Sequence, residues 1–233
     1  RCTMPNQLAV VSGATGGIGR VVTERLWAEG YSILALGNTV TKVAMLQEWF
    51  LAHKHEGQKA FSLLFDVTYN EYWRLENILS YRILNLHLLV VCHGAAPKSA
   101  SILTQGGTEA FDTIYATDVR GALSLCQCVG KHMVEKGDGS IVLVSSIHNQ
   151  ATYPERTGYA TAKAAICGMA RALAVEWGPS NVRVNSISPW QCSGERSNAV
   201  AAKEYALTGE DTLEQYRQRS PLRRLVSPED VAD

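Results

Sequence analysis

The stretch Leu8-Ala9-Val10-Val11-Ser12-Gly13-Ala14-Thr15-Gly16-Gly17-Ile18-Gly19-Arg20 decides the fold of this chain. Its first four residues form a short apolar run, which predicts a buried β-strand. An amphipathic helix follows the glycines and stops near Gly30. Strand, glycine-rich turn and helix together predict a dinucleotide site, with the pyrophosphate at the positive end of the helix. Because the spacing is not GxGxxG, a glycine-rich loop without a ligand is the alternative.

Strands alternate with helices along the rest of the chain. Further strands are predicted at 32–36, 60–65, 86–91, 140–144 and 182–187, and helices at 41–54, 71–84, 108–136 and 159–177. This order predicts one α/β domain over residues 1–233, a doubly wound parallel sheet with helices on both faces and ligands at the carboxyl ends of the strands. The polar segment 193–220 has weak helical periodicity, and we interpret it as a lid over the substrate.

The composition excludes several classes of function. Lys and Arg number 22 and Asp and Glu also number 22, so net charge favours neither nucleic acid nor an anionic membrane. No apolar run is long enough to span a bilayer, and the six cysteines show neither a CxxC pair nor metal-ligand spacing with histidine. We therefore expect a cytoplasmic protein with reduced thiols and no metal. The residues at both ends, Arg1 and Asp233, lead us to expect a trimmed chain.

A second decisive stretch runs from Ser145 to Lys163. Tyr159 and Lys163 are four residues apart, so on a helix they share one face and the ammonium lies beside the phenol. A nearby cation stabilises a phenolate, as a general acid or base requires. Ser146 adds a hydroxyl at the end of the preceding strand. Alone, a Tyr and a Lys at this spacing more often belong to a solvated helix face.

Small polar residues follow the second strand. Asn38 and Thr39 leave room for a phosphate, no acid is present to bind a ribose 2′-OH, and Lys42 follows shortly. This pattern favours NADP(H) over NAD(H), although Lys42 can equally be a solvated side chain. Asp66, at the end of the third strand, can accept a hydrogen bond from adenine or cap the next helix.

Taken together, these residues resemble the short-chain dehydrogenase/reductase family over nearly the whole chain. The matching segments are Ser12–Gly19 for its TGxxxGxG motif, Asp66-Val67 for its adenine-contacting pair, Tyr159–Lys163 for its YxxxK, Arg183–Pro189 for the strand and turn beneath the nicotinamide, and Pro221–Ala232 near its C-terminus. Ser146 lies 13 residues before Tyr159, which is the family's spacing. The similarity is to the subclass that contains 3-oxoacyl-carrier-protein reductases and sugar or polyol dehydrogenases.

The resemblance implies a Rossmann-like fold and NAD(P)(H)-dependent interconversion of a ketone or aldehyde and an alcohol. Tyr159 would protonate the carbonyl oxygen as hydride arrives from the nicotinamide, Lys163 would hold the nicotinamide ribose, and Ser146 would hydrogen-bond the carbonyl oxygen. The cofactor would contact Ser12, Gly13, Thr15, Gly16, Gly17, Ile18, Gly19, Asn38, Thr39, Asp66, Val67, Cys92, His93, Gly94, Tyr159, Lys163, Pro189 and Trp190. The substrate would contact His148, Gln150, Tyr153 and Trp190, and Tyr205 and Tyr216 would add apolar walls. A homotetramer or homodimer would form through helices 108–136 and 159–177.

The chain departs from the family pattern at three places. The Asn expected in the long helix is Asp118, which would add a negative charge beside Lys163. The Asn-Ala-Gly after the fourth strand is Cys92-His93-Gly94, where His93 would contact the cofactor ribose or simply fill space. The Gly after Pro189 is Trp190. Apart from these three places, the family's last strand does not appear. These departures keep two other functions open: a catalytically weakened dinucleotide-binding sensor or scaffold, and a fold that binds nothing.

Overall fold

The computed structural model describes residues 7–80, 85–95, 102–103 and 107–233. Six strands form one parallel sheet in the order β3-β2-β1-β4-β5-β6. They are β1 (Gln7–Ser12), β2 (Ser32–Gly37), β3 (Ala60–Leu64), β4 (Asn85–Val91), β5 (Gly139–Val144) and β6 (Val182–Ile187). The predicted α/β domain with a doubly wound parallel sheet is confirmed.

Helices cover both faces of this sheet. They are α1 (Gly17–Ala28), α2 (Val40–Ala52), α3 (Tyr72–Ser80), α4 (Gly107–Ile114), α5 (Gly121–Lys136), α6 (Thr157–Trp177), α7 (Glu195–Thr208), α8 (Thr212–Arg219) and α9 (Pro228–Ala232). Apolar residues of α1 and α2 pack on one face with Ala232 of α9, and those of α3, α5 and α6 pack on the other. Residues 81–84 of the helix predicted at 71–84 lie outside the described residues.

Strand β1 lies at the centre of the fold, and all six of its residues are buried. Leu8 and Val10 face the layer of α3, α5 and α6, whereas Ala9 and Val11 face the layer of α1 and α2. A strand covered on both faces needs apolar side chains at every position, because successive side chains point to opposite faces. Burial on both faces explains the unbroken apolar run. The glycine loop begins at the carboxyl end of this buried strand.

The long helix predicted at 108–136 contains an irregular turn. Helices α4 and α5 are joined without a break by a π-helical segment, Tyr115–Arg120. A π turn holds more residues than an α turn and therefore rotates the side chains that follow, and such turns are frequent at functional sites. Here it carries Asp118 and Val119, which are buried.

The segment 193–220, interpreted as a lid, contains α7 and α8. Two parallel backbone hydrogen bonds join its base to the chain that follows it: the N–H of Ser193 donates to the carbonyl of Val226 at 2.8 Å, and the N–H of Val226 donates to the carbonyl of Gln191 at 3.1 Å. Both helices are polar, and Tyr216 on α8 is half-buried. These hydrogen bonds fix the start of the segment against residue 226. The role of the segment as a lid stays a prediction.

No helix among the described residues is long and apolar enough to cross a membrane. The same residues contain no group of three His, Cys, Asp or Glu side chains arranged to hold a metal ion.

Candidate active site

The glycine loop after β1 is shaped by close approaches between backbone segments. Gly13 has φ +66°, and a Cβ on it would lie 2.7 Å from the backbone nitrogen of His93. A Cβ on Gly19 would lie 2.1 Å from the carbonyl oxygen of Gly13. Side chains are excluded at both positions, since such contacts are far inside van der Waals distance. Gly17 differs, because a Cβ there would meet no atom within 4 Å.

The N-terminus of α1 has the properties of an anion site. Gly16 is the N-cap residue and supplies no side-chain hydrogen bond, and no acidic residue occupies the first turn. The first N–H groups of a helix lack intrahelical partners and carry positive partial charge. Gly16 and Gly17 are exposed and border a cleft of about 800 Å³. The loop therefore fits the pyrophosphate of a dinucleotide.

The end of β2 borders the same cleft with Gly37, Asn38 and Thr39. Two cations border it there as well, Lys42 and Arg20. Arg20 is ion-paired with Glu24 on the next turn of α1, and its guanidinium lies 5.0 Å from the centroid of the Trp49 ring. Arg20 directly follows the glycine motif, but the sequence pattern did not indicate it as a cofactor contact.

Asp66 lies at the end of β3 and orders the turn after it. Its Oδ1 accepts hydrogen bonds from the N–H of Thr68 at 2.9 Å and from the Thr68 hydroxyl at 2.7 Å. Capping of the next helix was one of the two predicted roles of Asp66. Because α3 begins only at Tyr72, Asp66 caps the turn before the helix and not the helix itself. Val67 packs against Gly121, where a Cβ would lie 2.7 Å from its side chain. Asp66 and Val67 both border the cleft.

His93 joins three segments beneath the cleft. Its Nε2 lies 3.0 Å from the carbonyl oxygen of Thr117, and its Nδ1 lies 2.7 Å from the Ser12 hydroxyl. A carbonyl can only accept, so Nε2 carries the proton and Nδ1 accepts from Ser12. Burial lowers the pKa of His93 to about 4, the nearby positive charge of Lys163 also lowers it, and the negative charge of Asp118 opposes the change. The imidazole is therefore neutral at pH 7, and the Ser12 hydroxyl proton is engaged.

Asp118 and Lys163 form a buried ion pair. Asp118 Oδ2 lies 3.0 Å from Lys163 Nζ, and the two side chains are 0% and 6% exposed. Asp118 Oδ1 accepts a hydrogen bond from the N–H of Ala95 at 2.7 Å. A Cβ on Gly94 would lie 3.3 Å from Asp118 Oδ2 and 3.5 Å from Lys163 Nζ, so the backbone at 94 lies directly against the pair. The sequence predicts that Asp118 lies near Lys163, and in the structure the two side chains are in direct contact.

Ser146, Tyr159 and Lys163 come together at the carboxyl end of β5. Lys163 Nζ lies 5.5 Å from the centroid of the Tyr159 ring and donates to the carbonyl of Val144 at 3.3 Å. The Ser146 hydroxyl oxygen accepts from the N–H of His148 at 3.3 Å, and the His148 ring meets the Tyr159 ring edge-on at 5.4 Å. Ser146 and Tyr159 therefore both contact His148, and both border the cleft. Burial, followed by the positive charge of Arg156, lowers the pKa of His148.

A polar cluster behind these residues was absent from the sequence reasoning. The Ser145 hydroxyl donates to the carbonyl of Lys163 at 2.8 Å, and Asn149 Nδ2 donates to the Ser188 hydroxyl at 2.6 Å and to Cys167 Sγ at 3.1 Å. Burial would raise the pKa of Cys167, but hydrogen bonds with serine hydroxyls outweigh it and lower that pKa. The cluster ties the loop of Ser146 to α6 and to the turn after β6.

The far side of the cleft is aromatic. His148, Tyr153, Trp190 and Tyr216 border it, and Pro189 lies beside Trp190. Tyr205 is 60% exposed and lies outside the cleft lining, so of the two predicted lid aromatics only Tyr216 reaches it. Gln150 is also exposed and outside the lining.

Almost all of the predicted cofactor residues thus share one cleft. Those that border it are Ser12, Gly13, Thr15, Gly16, Gly17, Ile18, Gly19, Asn38, Thr39, Asp66, Val67, Cys92, His93, Gly94, Tyr159, Pro189 and Trp190. Lys163 and Asp118 are buried beside its wall. Burial raises the pKa of Cys92 to about 12, so its thiol stays protonated.

Comparisons with known proteins show similarity to short-chain dehydrogenases and reductases. A family model described as short chain dehydrogenase matches residues 7–204. The short-chain reductase protein NovJ of Streptomyces niveus is 29% identical over 228 residues, 97% of this chain and 84% of that protein. Gluconate 5-dehydrogenase of Gluconobacter oxydans is 24% identical over 196 residues, 84% of this chain and 75% of that protein.

Two solved structures illustrate the similarity in fold. An NAD+-bound xylitol dehydrogenase has a TM-score of 0.88 at 21% identity, covering 100% of this chain and 91% of that one. A gluconate 5-dehydrogenase from Burkholderia cenocepacia, in complex with NADP and tartrate, has a TM-score of 0.82 at 21% identity, covering 97% and 84%.

Proposed function

The chain belongs to the short chain dehydrogenase family, and from that premise we propose that it interconverts a ketone or aldehyde and the matching alcohol, with Tyr159 as general acid and base. One observation carries this proposal. Ser146 and Tyr159 border the same cleft as the glycine loop, and the Lys163 ammonium lies 5.5 Å from the Tyr159 ring. A hydroxyl and a phenol thus border the cleft that contains the glycine loop, with a cation beside them.

The glycine loop and the ends of β2 and β3 would hold a nicotinamide dinucleotide, which would supply or accept the hydride when bound. In the reducing direction, Ser146 donates a hydrogen bond to the substrate carbonyl oxygen and Tyr159 donates its phenolic proton to that oxygen. The Ser146 oxygen already accepts from the N–H of His148, which leaves its own proton for the substrate. In the oxidising direction, the Tyr159 phenolate takes the alcohol proton.

Lys163 stabilises the phenolate that Tyr159 forms. Its ammonium is held by the carbonyl of Val144 and by Asp118, so its position is fixed before substrate binds. Charge placed in advance costs no reorganisation during the reaction, which makes it effective in a buried site. Lys163 would also contact the nicotinamide ribose.

NADP(H) is the cofactor that this site favours. The end of β2 has no acid to bind a ribose 2′-OH, whereas Arg20 and Lys42 border the cleft nearby. We expect Arg20→Ala and Lys42→Ala to raise the KM for NADPH by about 10-fold and to leave the KM for NADH nearly unchanged. Steady-state kinetics with both cofactors measures this, and equal effects on both would refute the 2′-phosphate role.

A catalytically weakened sensor or scaffold is the second candidate. The Asp118–Lys163 pair favours it, because a carboxylate 3.0 Å from Nζ offsets part of the positive charge available to Tyr159. Against it, Ser146, Tyr159 and Lys163 are all present. Cofactor binding without turnover of any carbonyl would favour this candidate.

The test of the proposed function is a carbonyl and alcohol panel with both cofactors, followed by nicotinamide absorbance. We expect cofactor-dependent turnover of at least one substrate class. The outcome that would refute catalysis is unchanged absorbance with every compound while NADPH still raises the melting temperature. Failure of both cofactors to raise it would refute dinucleotide binding as well.

We place the enzyme in the cytoplasm and as a homodimer or homotetramer through helices 108–136 and 159–177. The five cysteines in the described part of the chain are free. The two helices expose large apolar side chains, with Tyr115 45%, Leu123 48% and Val175 80% exposed. Light scattering measures the molar mass of the wild-type protein and of Leu123→Glu and so tests this assembly. A monomeric wild-type protein would contradict the proposed homodimer or homotetramer.

A further inference from the structure

The aromatic side of the cleft is built by three separate segments. Tyr153 lies between β5 and α6, Trp190 lies in the turn after β6, and Tyr216 lies on α8. All three residues are half-buried and border the cleft. Convergence of three segments on one wall is typical of a ligand pocket.

Two of the three ring pairs are edge-to-face, and the pair of Tyr153 and Tyr216 is tilted at 40°. The ring centroids are 6.5 Å apart for Tyr153 and Trp190, 5.9 Å for Tyr153 and Tyr216, and 6.4 Å for Trp190 and Tyr216. These separations lie within the range for aromatic pairs, and the three residues therefore form one aromatic surface that borders the cleft.

The aromatic wall continues to the reacting position. The His148 ring meets Tyr153 at 5.2 Å on one side and Tyr159 at 5.4 Å on the other, both edge-on. A substrate whose carbonyl reaches Tyr159 therefore has aromatic surface on this side of the cleft. The hydroxyl groups of an open-chain polyol would be desolvated against ring carbons there, which is unfavourable.

The indole N–H of Trp190 lacks an acceptor. Trp190 Nε1 is buried and has no hydrogen-bond partner among the residues that the structure describes. Trp27, which is buried, donates its Nε1–H to the carbonyl of His53 at 2.7 Å. Buried donors are normally paired, and Trp190 borders the cleft, so a bound ligand is one source of an acceptor for this N–H.

We propose, resting on the oxidoreductase function above, that the substrate carries a flat ring beside its reacting carbonyl or alcohol carbon. The ring is aromatic or fused alicyclic and packs on Tyr153, Trp190 and Tyr216. An oxygen substituent on the ring side of the molecule accepts the Trp190 N–H. Open-chain polyols and sugar acids are poor substrates in comparison.

The first experiment compares tetralone, a set of methoxy-tetralones and fructose. Binding to the NADP(H)-loaded protein is followed by calorimetry and turnover by nicotinamide absorbance. We expect the dissociation constants of the ring ketones to be at least about 10-fold below that of fructose, since fructose has no flat apolar ring to pack against the wall. At least one methoxy isomer binds more tightly than tetralone.

Three variants locate the ring. Tyr216→Leu should raise the ring-ketone dissociation constant by about 5-fold or more, and Tyr205→Leu, on the exposed face of the neighbouring helix α7, should not change it. Trp190→Phe keeps a ring but removes the N–H, so it should abolish the preference for the methoxy isomer while retaining tetralone binding.

The outcomes separate this inference from the proposed function. If ring ketones bind and no compound of the carbonyl and alcohol panel is turned over, the ring-binding wall stands and the oxidoreductase function fails. If fructose is reduced and ring ketones do not bind, the function stands and the substrate class is wrong. Absence of binding by all of these compounds, or an equal effect of the Tyr216 and Tyr205 variants, also overturns the substrate class.

Discussion

Substitution of Asp118 by Asn is the sharpest test of the buried ion pair. Asp118 has two acceptor oxygens, and each contacts a donor: Lys163 Nζ at 3.0 Å and the N–H of Ala95 at 2.7 Å. Asn has the same shape but one oxygen and one NH2 group. One of the two contacts must therefore become a donor–donor contact, and the Lys163 cation loses its counter-charge.

The magnitude follows from burial. The two side chains are 0% and 6% exposed, and removal of one partner of a buried pair costs about 3–5 kcal/mol. In a domain of this size 1 kcal/mol shifts Tm by about 2–4 °C, so Asp118→Asn should lower Tm by about 6–20 °C. Urea unfolding should give a matching loss of free energy at unchanged slope.

Asp138 offers a matched control. Its Oδ2 lies 3.0 Å from Lys136 Nζ and 2.9 Å from His87 Nδ1, but the side chain is 40% exposed, and exposed pairs contribute about 0–1 kcal/mol. Asp138→Asn should therefore change Tm by no more than about 4 °C. In a double-mutant cycle, Asp118→Asn combined with Lys163→Met should be less destabilised than the sum of the single variants. A Tm for Asp118→Asn equal to that of Asp138→Asn, or additive single effects, would refute the buried pair.

Three further predictions concern the loop, the histidine and the polar cluster. Gly19→Ala should abolish the rise in Tm on adding NADPH, because its Cβ would lie 2.1 Å from a backbone oxygen, whereas Gly178→Ala, which meets no atom within 4 Å, should retain it; thermal shift assays decide. His93 has a pKa of about 4 in the folded protein against an unperturbed value of 6.5, so the unfolded state binds the proton first on acidification. Stability should thus fall as pH drops from about 6.5 to about 4, by up to about 3 kcal/mol, and His93→Gln should remove that part of the loss, as urea titrations across pH would measure. Asn149→Ala should lower kcat by about 10–100-fold at unchanged cofactor KM by loosening the loop of Ser146, and a changed cofactor KM at constant kcat would contradict this.

The fold could be predicted from the sequence because its signals are local. Apolar runs such as 8–11 mark strands buried on both faces, and helical periodicity between them leaves a parallel sheet as the arrangement that buries every apolar stripe. The grouping of Ser146, Tyr159 and Lys163 was predicted from the four-residue spacing of Tyr159 and Lys163 and from the resemblance to the short-chain dehydrogenase/reductase family. Element ends differ by one or two residues, as capping and fraying allow.

The contacts within the site could not be predicted in the same way. His93 bonds Ser12 across 81 residues of chain, and Asp118 reaches Lys163 across the packing of two helices. Periodicity indicates which face a side chain occupies but not its partner on another element. The π-helical segment, which brings Asp118 inward, has no proline or glycine inside it to mark it in the sequence. Arg20 was missed because its importance depends on α1 and β2 bordering one cleft.

The central claim is that Tyr159 transfers the proton in a cofactor-dependent carbonyl reduction. The most direct measurement compares wild-type protein and Tyr159→Phe in NADPH consumption with the best carbonyl of the panel, at matched cofactor occupancy. We predict that Tyr159→Phe binds NADPH normally, keeps the wild-type Tm and loses turnover by on the order of 10²-fold or more, since only the phenolic proton is removed. Turnover of Tyr159→Phe within a few-fold of wild type would contradict the account.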